Sequence, residues 1–216
     1  MYLKKSGGFH ENSVEMWREY HTPKRFSLQY LLHALKKGYA SKIFARRILQ
    51  FSGPIRSALE LGCGSASTLA RLHDLTGASC FGVDSCAEVI QSAREQYKYL
   101  SLEVGDIFHL RYKQKSFDVV FSLGLFEHFS LQEQKQLLQI HQNLARKAII
   151  FMTPADSVLM NSIVYLNKNL LKKTGNWADE EVFSQEVLKR KFPYYTFQAF
   201  KDPVFGNMLF WFGCKV

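Results

Sequence analysis

From residue 56 onward the apolar and polar positions switch between two periods. Short, nearly continuous apolar runs read as buried strands: "RSALEL", "ASCFGVD", "YLSLEVGD", "FDVVFS" and "KAIIFMTP", the last closed by Pro154. Between them apolar residues recur at helical spacing. Leu69, Leu72 and Leu75 do so in "SASTLARLHDL", Ala87, Ile90, Ala93 and Tyr97 in "CAEVIQSAREQY", and Leu131, Leu138 and Leu144 in "LQEQKQLLQIHQNLA". Strand and helix in this alternation predict an α/β fold, a doubly wound and mostly parallel sheet with helices on both faces.

Two regions stand outside the alternation. Residues 10–53 predict a helical cap before the first strand, through "SVEMWREY" and then "FSLQYLLHALKKGYASKIFARRIL", ending at Gly53-Pro54. Residues 156–180 predict a helical insertion, with Leu159, Ile163, Leu166 and Leu170 spaced by four, three and four. Such extra helices either shape a substrate pocket or simply pack. After a helix over "DEEVFSQEVLKRKF", the β-rich runs "YYTFQAF" and "GNMLFWFGCKV" flank "KDPVF" and read as an antiparallel pair closing the sheet. The expected whole is one domain over 1–216, three layers, with a seven-stranded Rossmann-like sheet.

Composition narrows the function classes. With 47% hydrophobic and 14% aromatic residues the chain can bury a full core and is not a disordered tail. No apolar run approaches the roughly 18 residues that span a bilayer, and "MYLKKSGGFHENS" lacks the apolar stretch of a secretory signal. A cytoplasmic protein without membrane attachment is expected. Cys63, Cys80, Cys86 and Cys214 form no C-x-x-C pair and have no clustered histidines, so neither a metal site nor a disulfide framework is expected.

The net charge of +9 is unevenly placed. Residues 1–50 hold 10 Lys and Arg against 3 Asp and Glu, residues 111–216 hold 14 against 9, but residues 51–110 hold 4 against 7. Only the middle stretch is acidic, and an acidic pocket in a basic protein suits a cationic ligand.

That stretch contains "LELGCGSASTLARL", a strand-to-helix junction with Gly62 and Gly64 in the turn and Glu60 just before it. In a doubly wound sheet, ligands lie beyond the carboxyl ends of the strands, and glycines in the first turn let them approach the backbone. Asp84 ends the second strand 20 positions after Gly64, where a carboxylate can accept hydrogen bonds from ribose hydroxyls. Singly, each has a plainer reading: a glycine after a strand makes a turn, and Asp84 or Asp106 can cap a helix. Their joint spacing points to a nucleoside. The dinucleotide fingerprint G-x-G-x-x-G would need a glycine or alanine where "GCGSAS" has Ser67, and Glu60 would oppose a pyrophosphate while suiting an ammonium group.

From about residue 56 to 152 the chain resembles the class I S-adenosylmethionine-dependent methyltransferases. "LELGCGSA" is similar to the family's first motif, "FGVD" to the second, "LEVGDIF" to the third and "FDVVFSLGLFEHF" to the fourth. Position by position, the resemblance implies Gly62 and Gly64 against the methionine portion, with Cys63 between them, and Glu60 near its amino group. It implies Asp84, followed by Ser85, on the ribose, Asp106 on the adenine amine with Ile107 against the ring, and Ser122 and Leu123 near the sulfonium. Tyr20 and His21 belong to the segment that folds over the cofactor in similar enzymes. The family often has a third glycine where this chain has Ala66. The implied cofactor is S-adenosyl-L-methionine and the product S-adenosyl-L-homocysteine.

Methyl transfer from a sulfonium is an in-line displacement, so catalysis rests mainly on alignment. A base is needed only for an acceptor that carries a proton. His128, just past the fourth strand, is the candidate base, with Glu127 to orient it or to hold a cationic acceptor; the pair also reads as a helix start that packs. Trp177 could wall an aromatic acceptor. The expected reaction is methylation of an oxygen or nitrogen on a small molecule. A second reading, an RNA or protein methyltransferase, draws on Lys24, Arg25, Lys36, Lys37, Lys42, Arg46 and Arg47 as phosphate contacts; "SLGL" departs from the Asn-Pro-Pro-Tyr type associated with exocyclic base amines. A third is a cofactor-binding partner subunit without catalysis. The oligomeric state is left open.

Overall fold

The apolar runs become adjacent strands of one sheet. The computed structural model describes residues 28–156, 161–162, 165–166, 181–201 and 209–216. Strands β1 (Ser57–Leu61), β2 (Ser79–Asp84), β3 (Ser101–Val104), β4 (Phe117–Leu123) and β5 (Ala145–Pro154) pair in parallel in the order β3-β2-β1-β4-β5. β7 (Leu209–Lys215) runs antiparallel beside β5, with β6 (Gln198–Lys201) antiparallel beyond it. The expected mostly parallel α/β sheet is what the chain adopts.

Among the described residues, the helices beside the strands are α1 (Leu28–Ser52), α2 (Ser67–Thr76), α3 (Ala87–Gln96), α4 (Leu131–Leu144) and α5 (Gln185–Lys191). Because side chains alternate across a strand, the central strands β1, β4 and β5 feed two cores. Ala58, Val119, Phe121, Ala148 and Ile150 meet Ile48, Leu69, Leu72 and Ile90 from α1, α2 and α3. Leu59, Leu61, Val120, Ile149 and Phe151 meet Leu137, Leu138 and Leu188 from α4 and α5. The sheet order reverses direction at β1, which opens a crevice beyond the ends of β1 and β4.

Several expected positions differ. Leu69 and Leu72 are buried but Leu75 is exposed, because each three-residue step falls about 60° short of a full turn and the third leucine leaves the stripe. Ala87 is exposed while Val89 is buried. Leu131, the first residue after the Ser130 cap, is also exposed. The helix expected over 179–192 begins only at Gln185, capped by Ser184, since Phe183 makes a β-bridge to Ala155 and its backbone cannot be helical there. Leu166 is exposed. The helix over 13–20, Leu159, Ile163, Leu170 and Trp177 lie outside the described residues, as do Tyr20 and His21. No helix among the described residues is long and apolar enough to cross a membrane.

Candidate active site

Leaving β1, the chain must reverse within a few residues to enter α2, and left-handed backbone accomplishes this. Gly62 has φ 68°, which glycine adopts without steric cost. Ala66, just before α2, is also left-handed at φ 55°, where a β-carbon costs about 1–2 kcal/mol. Alanine thus keeps the conformation that a third glycine would take freely, with its methyl fully buried. The Val83 carbonyl accepts the N–H groups of Gly62 at 2.8 Å and Cys63 at 3.0 Å. The Asp84 carboxylate accepts from Gly64 N–H at 2.8 Å and Cys86 N–H at 2.9 Å. Asp84 therefore straps the glycine turn to the start of α3, whatever else it binds. Burial pushes its carboxyl up, and the N–H donors oppose this.

Glu60 lies beneath the turn, 4% exposed, and its Oε2 has no hydrogen-bond partner among the described residues. Desolvation first, then the negative charge of Asp84, drive its pKa well above the usual carboxylate range. An unsatisfied buried oxygen costs free energy, and a nearby cation would offset that cost.

Two residues that the motif spacing did not single out complete the turn. A β-carbon at Gly82 would lie 2.7 Å from Cys63 Sγ and 2.8 Å from Leu69 Cδ1, so β2 comes this close to the turn only with glycine there. Its signal was the glycine of "FGVD". Leu125 covers Gly62, its Cδ1 2.9 Å from where a β-carbon would stand. This contact brings the loop after β4 over the glycine turn.

On that loop a 3-10 turn, Phe126–His128, carries Glu127, which is buried, and His128, which is half-buried. Ser122, at the end of β4, is fully buried with Oγ unpaired among the described residues, and Leu123 is half-buried. On the other side, Gly105 N–H donates to the Asp84 carbonyl at 3.0 Å, which sets Asp106 beside the end of β2. The Asp106 carboxylate is more than half exposed and already bonds Phe108 N–H at 2.9 Å and His109 Nδ1 at 2.7 Å. Ile107 is buried and Ser85 exposed.

Known proteins resemble the chain over the stretch that holds this site. Residues 58–147 match the model of a family described as a methyltransferase domain. The chain is 24% identical over 147 residues to phosphoethanolamine N-methyltransferase from Plasmodium falciparum (isolate 3D7), covering 67% of this chain and 50% of that protein. It is 26% identical over 141 residues to norajmaline N-methyltransferase from Rauvolfia serpentina, covering 62% and 44%. The chain thus spans about half the length of these curated relatives. Magnesium protoporphyrin IX methyltransferase from Synechocystis PCC 6803, solved with bound SAH, superposes with a TM-score of 0.70 at 12% identity, over 95% of this chain and 94% of that one. Over residues 58–147 the chain is similar to a methyltransferase domain, and its fold is that of the solved methyltransferase. The cofactor of such methyltransferases is S-adenosylmethionine. The methyltransferase match ends within β5, so Phe183, α5 and the last two strands lie beyond it.

Proposed function

We propose that the chain is an S-adenosylmethionine-dependent methyltransferase that methylates an oxygen or nitrogen of a small molecule. The observation that carries this reading is Glu60: a buried carboxyl with an unpaired oxygen, under a left-handed glycine turn, fits a positively charged amino-acid end better than any phosphate. In this reading Glu60 and the turn at Gly62, Cys63 and Gly64 hold the methionine portion. Asp84, whose carboxylate has lone pairs beyond its two backbone bonds, takes the ribose, with Ser85 beside it. Asp106 and Ile107 take the adenine, while Ser122 and Leu123 face the sulfonium and Tyr20 closes over it. When bound, the cofactor supplies an electrophilic methyl and a neutral leaving group.

What this chain's residues add is alignment and exclusion of water, effects that lower a barrier by about 7–11 kcal/mol in well-oriented reactions. His128 takes the proton of a hydroxyl or amine acceptor, and Glu127 orients it or holds a cationic acceptor. Two of the relatives named above are called after small acceptors, phosphoethanolamine and norajmaline, which supports that class, while a probable tRNA methyltransferase from Mus musculus, 28% identical over 93 residues, keeps RNA as the second reading. A labelled-methyl assay on a metabolite extract and on total RNA in parallel tests this. Label in the small-molecule fraction is expected; label only in RNA would move the assignment to the basic surface, and no transfer to any acceptor would leave a binding subunit.

A further inference from the structure

The 3-10 turn that carries Glu127 and His128 is held poorly by its own backbone. His128 N–H reaches the Leu125 carbonyl at 3.2 Å and Phe129 N–H the Phe126 carbonyl at 3.4 Å, both at or past the ordinary limit for such bonds. What holds the turn comes from elsewhere. The Phe126 ring stacks on Phe151, with centroids 4.6 Å apart, and fixes one side chain. The backbone is fixed by Gln134, a fully buried side chain on α4. Its Nε2 donates to the Phe129 carbonyl at 3.0 Å, within the ordinary range, and more weakly to the Phe126 carbonyl at 3.3 Å, so its firmer hold is on the Phe129 end of the turn.

A primary amide can rotate, so Gln134 itself needs a lock. Nε2 also donates to Glu181 Oε2 at 2.9 Å, and Oε1 accepts from Lys191 Nζ at 3.2 Å. Lys191 pairs with Glu181 and lies 5.1 Å from the centre of the Phe183 ring. The lysine is mostly buried and α5 carries it, outside the stretch that matches the methyltransferase family. We infer that Gln134, locked by Glu181 and Lys191, is the positioning residue that sets where Glu127 and His128 stand relative to the acceptor. Gln134 touches neither cofactor nor acceptor; it acts through the turn. This rests on the methyltransferase reading only for what the turn does, not for how it is held.

The test uses full-length protein, wild type, Gln134→Met and Lys191→Met. Three measurements are made on each: amide hydrogen exchange, the NMR titration of the His128 ring, and calorimetric binding of S-adenosylhomocysteine. Gln134→Met is expected to speed exchange across 126–130 by about tenfold or more while β1 to β3 keep their protection, to move the His128 titration, and to change the dissociation constant by less than about twofold. Lys191→Met, which keeps the Gln134 donor bonds and removes the lysine half of the lock, should do the same to a smaller degree. If Gln134→Met does not fold, the Lys191→Met result decides. Unchanged exchange and an unchanged His128 titration would overturn the assignment, as would exchange rising equally throughout the sheet, since Gln134 would then be ordinary core. Failure of wild-type protein to bind S-adenosylhomocysteine would overturn the methyltransferase reading alone, leaving the exchange result to stand by itself.

Discussion

A buried carboxyl with an orphaned oxygen responds to pH and to a cation, and Glu60 responds to both. Its pKa is raised in the folded chain, so its neutral form is favoured there relative to the unfolded chain. The stability tied to that form is fully present below the unfolded value of about 4.3 and is lost as pH rises through the raised value. Glu60→Gln in the ligand-free protein should therefore be more stable than wild type at pH 8 and similar to it near pH 4, by thermal melting. A bound ammonium reverses the preference and draws the proton off. Wild-type binding enthalpy for S-adenosylhomocysteine should then depend on the ionisation enthalpy of the buffer, and Glu60→Gln should bind at least tenfold more weakly, about 1.4 kcal/mol, with that dependence reduced. Equal affinity in the two proteins would remove the cation from the assignment.

Between elements, the tight constraint nearest the site is the approach of β2 to the glycine turn and α2 at Gly82. Alanine there places a β-carbon within 3 Å of Cys63 Sγ, Cys63 Cβ and Leu69 Cδ1. Such overpacking costs about 1–3 kcal/mol, and in a chain of this size each kcal/mol lowers Tm by about 2–4 °C. Cys63→Ala removes Sγ, so the double variant should recover part of the loss; strictly additive melting shifts would show that the two residues do not press on each other. This contact also marks what could be read from the chain. The strands, α2, α3 and α4, Glu60, the glycine turn and Asp84 follow from local periodicity and spacing, because each depends on neighbours within one βαβ unit. Leu125 over Gly62 and Gln134 bonded to Glu181 depend on residues far apart in sequence that no period links, and Gly82 against Leu69 on a closeness of packing that no period measures. The late start of α5 has the same origin: Phe183 pairs with Ala155, 28 positions away, and that bridge overrides a local helical pattern. The strapping of Gly64 by Asp84 was half visible, since the spacing marked the acid but not the backbone donor it holds.

For the molecule as a whole, acid stability turns on a histidine with no part in the proposed chemistry. His141 on α4 is fully buried; Nδ1 bonds the Leu137 carbonyl at 2.8 Å and Nε2 has no partner among the described residues. Burial holds its pKa down at about 4, against roughly 6.5 in an unfolded chain. The unfolded chain therefore takes up a proton as pH falls below 6.5 while the folded chain does not, so stability is complete above that value and is lost on the way down to about 4. The full loss is about 3 kcal/mol, of which about 2 kcal/mol is gone by pH 5. Glu60 and Asp84, with raised values, gain stability over the same descent, so the two effects oppose each other. His141→Leu isolates the histidine: it introduces no charge, and the Leu137 carbonyl retains a place in the helix. Urea unfolding at pH 7 and pH 5 should show wild type losing about 2 kcal/mol more than the variant over that interval. Equal losses in the two proteins would mean that the buried ring finds a way to charge without unfolding the chain around it, and the acid limit would then have to be sought among the carboxylates at the ends of the strands.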